Sequence, residues 1–149
     1  MNVRTILVPT DASRDADCAL SAAVDLAKLS RARIVVLHAY NVDSRAAPSA
    51  LGTYTLPQSL CDELHSRATD LVQKAVHEVV AQGVEASGLT VSAPAASAIV
   101  EEAERLPADL IVMGTTGRTD LAHVLLGSVA EWVIKTAQCP VMTVSARTA

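Results

Sequence analysis

Short apolar runs alternate along this chain with longer stretches whose apolar residues recur at helical spacing, and that alternation leaves few folds open. The runs are Val3 to Val8, Ile34 to Leu37, Val84 to Ser92, Leu110 to Met113 and Val141 to Val144. Dense in Val, Ile and Leu, the clearest of them suit strands covered on both faces. Between them lie four helical stripes. Ala19, Ala22, Ala23, Leu26 and Ala27 form the first; Leu60, Leu64, Ala68, Leu71, Val72, Ala75, Val76 and Val79 the second. Ile99, Val100, Ala103 and Leu106 form the third, and Val129, Trp132, Val133 and Thr136 the fourth. Strands joined through helices of this length cannot be hairpins, so neighbours run parallel. The pattern predicts one doubly wound α/β domain over residues 1–149, an open five-stranded sheet with four helices.

Punctuation residues support these boundaries. Pro9-Thr10-Asp11 breaks the first strand, and Asp11 or Ser13 can cap the helix that follows. Gly83 stands where a helix C-terminal cap belongs, Pro94 suits the first turn of the third helix, and Pro140 ends the fourth. Gly88 makes the third strand the least certain. Residues 41–60 have neither periodicity and read as a loop.

At 50% hydrophobic and 19% charged residues the composition is globular, and with no Phe the core must be built from Val, Leu, Ile and Ala. Net charge is −4 with only 12 Lys and Arg, and Trp132, Tyr40 and Tyr54 are the only aromatic rings besides histidine, which argues against a nucleic-acid groove. No apolar run approaches the ~20 residues of a membrane span, and Pro9 and Asp11 come too early for a signal-peptide core, so a cytoplasmic protein without a membrane partner is expected. Cys18, Cys61 and Cys139 are widely spaced without a CxxC pair, as expected of reduced, mostly buried thiols.

The chemistry concentrates in Asp109 to Ala137, a strand, a polar loop and a helix. Glycines at 114, 117 and 127, followed by Ser128, can expose backbone N–H groups and aim a helix N-terminus at an anion, so phosphate is the first ligand to consider. There is no GxxxxGK[ST] run and no GxGxxG after the first strand, which argues against a P-loop NTPase or a dinucleotide-binding domain. GTTG has the form of the RNA-clamping GXXG loop, but it leaves a strand instead of joining two helices.

The spacing Gly114, two residues, Gly117, nine residues, Gly127-Ser128 resembles the nucleotide-binding signature of the universal stress protein family. The resemblance extends to ILVPTDAS, IVVLHAY, ADLIVMGTTGR and LLGSVAEWVIKTAQCPVMTV, and so covers nearly the whole chain. It departs at Ala93, where the family often has glycine. It implies a Rossmann-like strand order 3-2-1-4-5, which opens a crevice at the carboxyl ends of strands one and four. It further implies an adenine nucleotide, ATP with magnesium, as ligand. Asp11, in the Pro9-Thr10-Asp11 turn, would then lie near the ribose and Ala39 near the adenine edge. Met113, Gly114, Thr116, Gly117, Arg118, Gly127, Ser128 and Val129 would surround the phosphates. No catalytic residue is assigned: His38 reads as a satisfied strand histidine, His123 lacks a carboxylate to orient it, and His65 and His77 have no metal-binding companions. The implied protein acts through nucleotide-linked conformation or association, as a homodimer paired through Val141 to Val144. Its alternatives are a family member that does not bind nucleotide and a slow ATPase.

Overall fold

The structure, a computed structural model, describes residues 1–41, 56–116 and 126–146. Strand β1 (Thr5–Pro9) leads through helix α1 (Arg14–Ser30) to β2 (Arg33–Tyr40). Helix α2 (Gln58–Ala81), β3 (Ala86–Ser92), α3 (Ala95–Arg105), β4 (Leu110–Gly114), α4 (Ser128–Thr136) and β5 (Val141–Val144) follow. All strand pairs are parallel and the sheet order is β3-β2-β1-β4-β5, as the family resemblance implied.

Alternation along the central strands divides the core between two faces. Ile6, Val8, Ile34, Val36, Leu110 and Val112 meet α1 and α2 on one face, through Ala19, Ala23, Val24, Val72 and Val79 among others. Leu7, Val35, Leu37, Ile111 and Met113 meet Ile99, Ala103, Ala130 and Val133 of α3 and α4 on the other. Because both faces are covered, β1 is buried at every residue. The start of the sheet is pinned by Asp109, whose carboxylate accepts the N–H groups of Arg4 and Thr5, both at 2.9 Å. The Arg4 bond, then the Thr5 bond, holds its pKa below the usual carboxylate value.

Several expectations are corrected in detail. Helix α2 begins at Gln58 and carries the expected stripe from Leu60 onward, so the loop expected over 41–60 ends before residue 58. The loop expected over 41–60 otherwise falls mostly on residues 42–55, outside the described residues. Leu60 is exposed, since the buried positions of α2 begin only at Ala68. Pro94 is the N-cap of α3 and not a first-turn residue. Trp132 is 53% exposed, because α4 turns Ala130 and Val133 to the sheet and leaves Trp132 on its outer side. The three cysteines are half-buried instead of buried. Gly83 does adopt the left-handed conformation, φ 83°, just after α2, and its N–H reaches the Val80 carbonyl at 2.9 Å. Ala93 has no positive φ, so the departure from glycine there carries no backbone strain.

Gly88, the residue that weakened the third strand in sequence terms, is where α2 packs tightly on the sheet. A Cβ there would sit 2.2 Å from Val72 Cγ1 and 3.2 Å from Val76 Cγ2. Val72 is buried and β-branched, so it cannot swing aside cheaply. Gly88→Ala is therefore expected to cost about 1–3 kcal/mol by overpacking, and for a chain of this size to lower Tm by about 3–10 °C. A thermal melt checks this, and an unchanged Tm would mean that α2 is not seated on β3 as described.

Candidate functional site

The chain turns in opposite directions from the two sides of β1, and at the carboxyl ends of β1 and β4 this leaves a cavity of about 280 Å³. Pro9, Thr10 and Asp11 line it from the end of β1, and Leu37 and Ala39 from β2. Met113, Gly114, Thr115 and Thr116 line it from β4, and Gly127, Ser128, Val129 and Ala130 from the start of α4. Ala95 and Ile99 of α3 close the apolar side, with Ser13 and Ala16 of the α1 turn opposite. Ten of the residues singled out in the sequence thus share one cavity, while Gly117 and Arg118, like His123, lie outside the described residues. Among the described residues, no Lys, Arg or His lines it.

The turn after β1 is held by its own polar groups. Asp11 Oδ1 accepts the Ser13 N–H at 2.9 Å, and Thr10 Oγ1 accepts that of Ala12 at 3.1 Å. Ala12 takes the left-handed conformation, φ 60°, a strained state for a residue with a Cβ that persists only where its surroundings impose it. Between the two cap candidates, Ser13 caps α1, accepting the Ala16 N–H at 3.2 Å. His38 is half-buried and its Nδ1 donates to the Thr10 carbonyl at 2.7 Å, so it serves as the satisfied strand histidine expected. His65 shares a 2.7 Å hydrogen bond with the Tyr40 hydroxyl.

Three helices begin at the cavity, and their N-termini differ; that of α3, whose first residue Ala95 lines the cavity after Pro94, has no side-chain cap. Helix α1 is capped by Ser13 and carries Asp15 and Asp17 in its first turn. Helix α4 begins after Gly127, which has no side chain with which to cap it. The first N–H groups of a helix have no intrahelical acceptor. At α4, Ser128, Val129 and Ala130 carry such groups and line the cavity. The start of α4 is therefore better suited to an anion than the capped, acidic start of α1.

Sequence reasoning missed Asp15. Its Oδ2 accepts from Thr115 Oγ1 at 2.8 Å, from the Thr116 N–H at 3.0 Å and from Thr116 Oγ1 at 2.6 Å, while Oδ1 accepts the Ala146 N–H at 2.8 Å. An acid in the first turn of a helix reads only as a complement to the helix dipole, and nothing along the chain links residue 15 to residues 115 and 146. Thr115 is held on two further sides: its N–H donates to the Val144 carbonyl at 3.0 Å, and its carbonyl accepts the Gly127 N–H at 2.6 Å. Thr115 and Gly127 are thereby bonded directly to each other across the segment between them.

Burial of Asp15 pushes its pKa up, but the Thr116 hydroxyl, the Ala146 N–H, the Thr115 hydroxyl and the Thr116 N–H together outweigh this and bring it from 3.8 to about 2. A depressed folded pKa gives stability that is present above the unfolded value and lost as pH falls through the folded one. With solvent still in reach the contribution is about 1–2 kcal/mol, fully present above about pH 5. The stability gap between the wild type and Asp15→Asn is thus expected to shrink between about pH 4 and pH 2, measured by denaturant unfolding. A gap that stays constant through that range would contradict the assigned bonds.

A doubly wound α/β protein with its candidate site at the switch point of the sheet is the class that this geometry defines. The chain belongs to the universal stress protein family, which it matches over residues 2–145. Universal stress protein MJ0531 of Methanocaldococcus jannaschii is 39% identical over 141 residues, which are 95% of this chain and 81% of the relative. MJ0577 of the same organism is 30% identical over 95% of this chain and 94% of its own length. Its solved structure superposes with a TM-score of 0.85 over the whole of both chains. Two further structures, each 24% identical, share the fold: a universal stress protein in complex with cAMP (TM-score 0.73, covering 99% of this chain and 100% of that one) and one from Archaeoglobus fulgidus in complex with dAMP (0.67, 97% and 99%).

Proposed function

We propose that this protein binds an adenine nucleotide, ATP, in the crevice between β1 and β4, and acts in the stress response through nucleotide-linked conformation or association. The observation that carries this reading is the start of α4, which opens onto the same cavity as Asp11 and Ala39. Phosphates would meet the N–H groups of Ser128 and Val129, the ribose hydroxyls would meet the Asp11 carboxylate, and the adenine would lie by Ala39 against the apolar wall of Leu37 and Ile99. Gly117 and Arg118 complete the glycine signature in sequence. The cAMP and dAMP complexes of fold relatives support an adenine nucleotide as the ligand class.

Magnesium fits as a counter-ion carried by the phosphates. Among the described residues no group of three or more His, Cys, Asp or Glu side chains forms a cage for it. Association would use β5, an edge strand whose unpaired backbone groups can meet those of a second copy. Exposed Trp132, Ile134 and Met142, on α4 and β5, supply apolar surface for that homodimer. Among the described residues no helix is long and apolar enough to cross a membrane.

The test is mass spectrometry of nucleotide released by denaturing the purified protein, with calorimetric titration of ATP and magnesium into the emptied protein. Recovered or titratable ATP is the expected result. Absence of nucleotide by both routes would refute the reading and leave the three glycines as determinants of fold.

A further inference from the structure

We infer that Asp15 is the positioning residue for the phosphate side of this crevice: its carboxylate fastens the exit of β4 and the segment after β5 to the first turn of α1. The inference rests on the nucleotide reading above and adds to it a residue that does not touch the ligand's expected position at α4. Four donors from two distant segments converge on one carboxylate, three on Oδ2 and one on Oδ1. Gly114, just before them, lets β4 lie flush on Asp15, since a Cβ there would be 2.8 Å from Asp15 Cβ.

This arrangement decides which groups face the ligand. The Thr116 N–H and both threonine hydroxyl protons are taken up by Asp15, so Thr115 and Thr116 line the cavity as fixed walls, and among the described residues the start of α4 still offers its N–H groups to an anion. A bare carboxylate beside phosphates would repel them, and these four bonds disperse that charge. Through the Thr115–Gly127 bond the same carboxylate also sets where α4 begins. With Ala146 on its other oxygen, Asp15 joins the site to the chain leaving β5, the strand proposed for association.

The experiment compares wild type, Asp15→Ala and Asp15→Asn by calorimetry with ATP plus magnesium and with adenosine, and by NMR amide exchange of the unliganded proteins. Asp15→Ala is expected to weaken ATP by about tenfold or more while leaving adenosine within about twofold. Asp15→Asn, which keeps one acceptor oxygen, should fall between. The amides of Thr116 and Ala146 should exchange faster in Asp15→Ala, with those of β1 and β2 unchanged. ATP affinity unchanged in a folded Asp15→Ala, equal losses for ATP and adenosine, or unchanged exchange at Thr116 and Ala146 would each overturn the inference. A wild type that binds neither ligand would remove the nucleotide reading and the positioning role with it, while the exchange data would still report whether Asp15 holds the two segments.

Discussion

Gly114→Ala is expected to lower stability by about 2–3 kcal/mol, and Tm by about 5–10 °C, and to weaken ATP at the same time. The added Cβ would sit 2.8 Å from Asp15 Cβ, 3.0 Å from the Asp15 carbonyl carbon and 3.1 Å from the Ala16 nitrogen. Two of these atoms are backbone at the start of a helix, so relief requires α1 and β4 to separate rather than one side chain to turn. Separation lengthens the bonds from Asp15 to Thr115 and Thr116 and widens the crevice. Gly88→Ala is the matched control, because its clash lies between α2 and β3, and Gly88 does not line the cavity. Both variants should melt early, but only Gly114→Ala should lose ATP affinity, by about tenfold or more in calorimetry. Equal affinities in the two would mean that the approach of α1 to β4 shapes the fold alone.

The second large effect is electrostatic. Ser128→Asp puts a carboxylate at the first residue of α4, where negative charge complements the helix dipole and favours the fold by about 0.3–1 kcal/mol. The same charge would face the phosphates, and two like charges about 4 Å apart near a surface repel by up to ~4 kcal/mol. Screening at this exposed position reduces that figure, so ATP affinity should drop by about 10–100-fold while Tm holds or rises. Adenosine, which has no phosphate, should bind as before, and the loss for ATP should shrink as salt is raised. A variant that binds ATP as the wild type does would move the phosphates away from α4.

What the sequence made legible, and what it did not, follows the range of the interactions involved. The four helical stripes and the buried runs at Leu110 to Met113 and Ile34 to Leu37 are local periodicities, and they named the elements and most of both core faces. The stretch that lines the cavity from β4 to α4 was legible as a candidate phosphate site because glycine spacing next to a strand end is also local. Trp132 was misplaced because the stripe assigned to α4 was too wide: the buried residues of the helix are Ala130 and Val133, with Val129 packed beside them and Trp132 outside. Gly88 looked like a defect in a strand because its reason, Val72, lies on another element. Asp15 was invisible for the same cause on a larger scale, its partners being 100 to 131 positions away.

The central claim is that an adenine nucleotide occupies the crevice with its phosphates on the N-terminus of α4. A crystal structure of the protein grown with ATP and magnesium tests it most directly. The predicted result is phosphate density within hydrogen-bond reach of the Ser128 and Val129 N–H groups, with the ribose by Asp11 and the base by Ala39. Nucleotide bound elsewhere, or a crevice without nucleotide at saturating ATP, would contradict it.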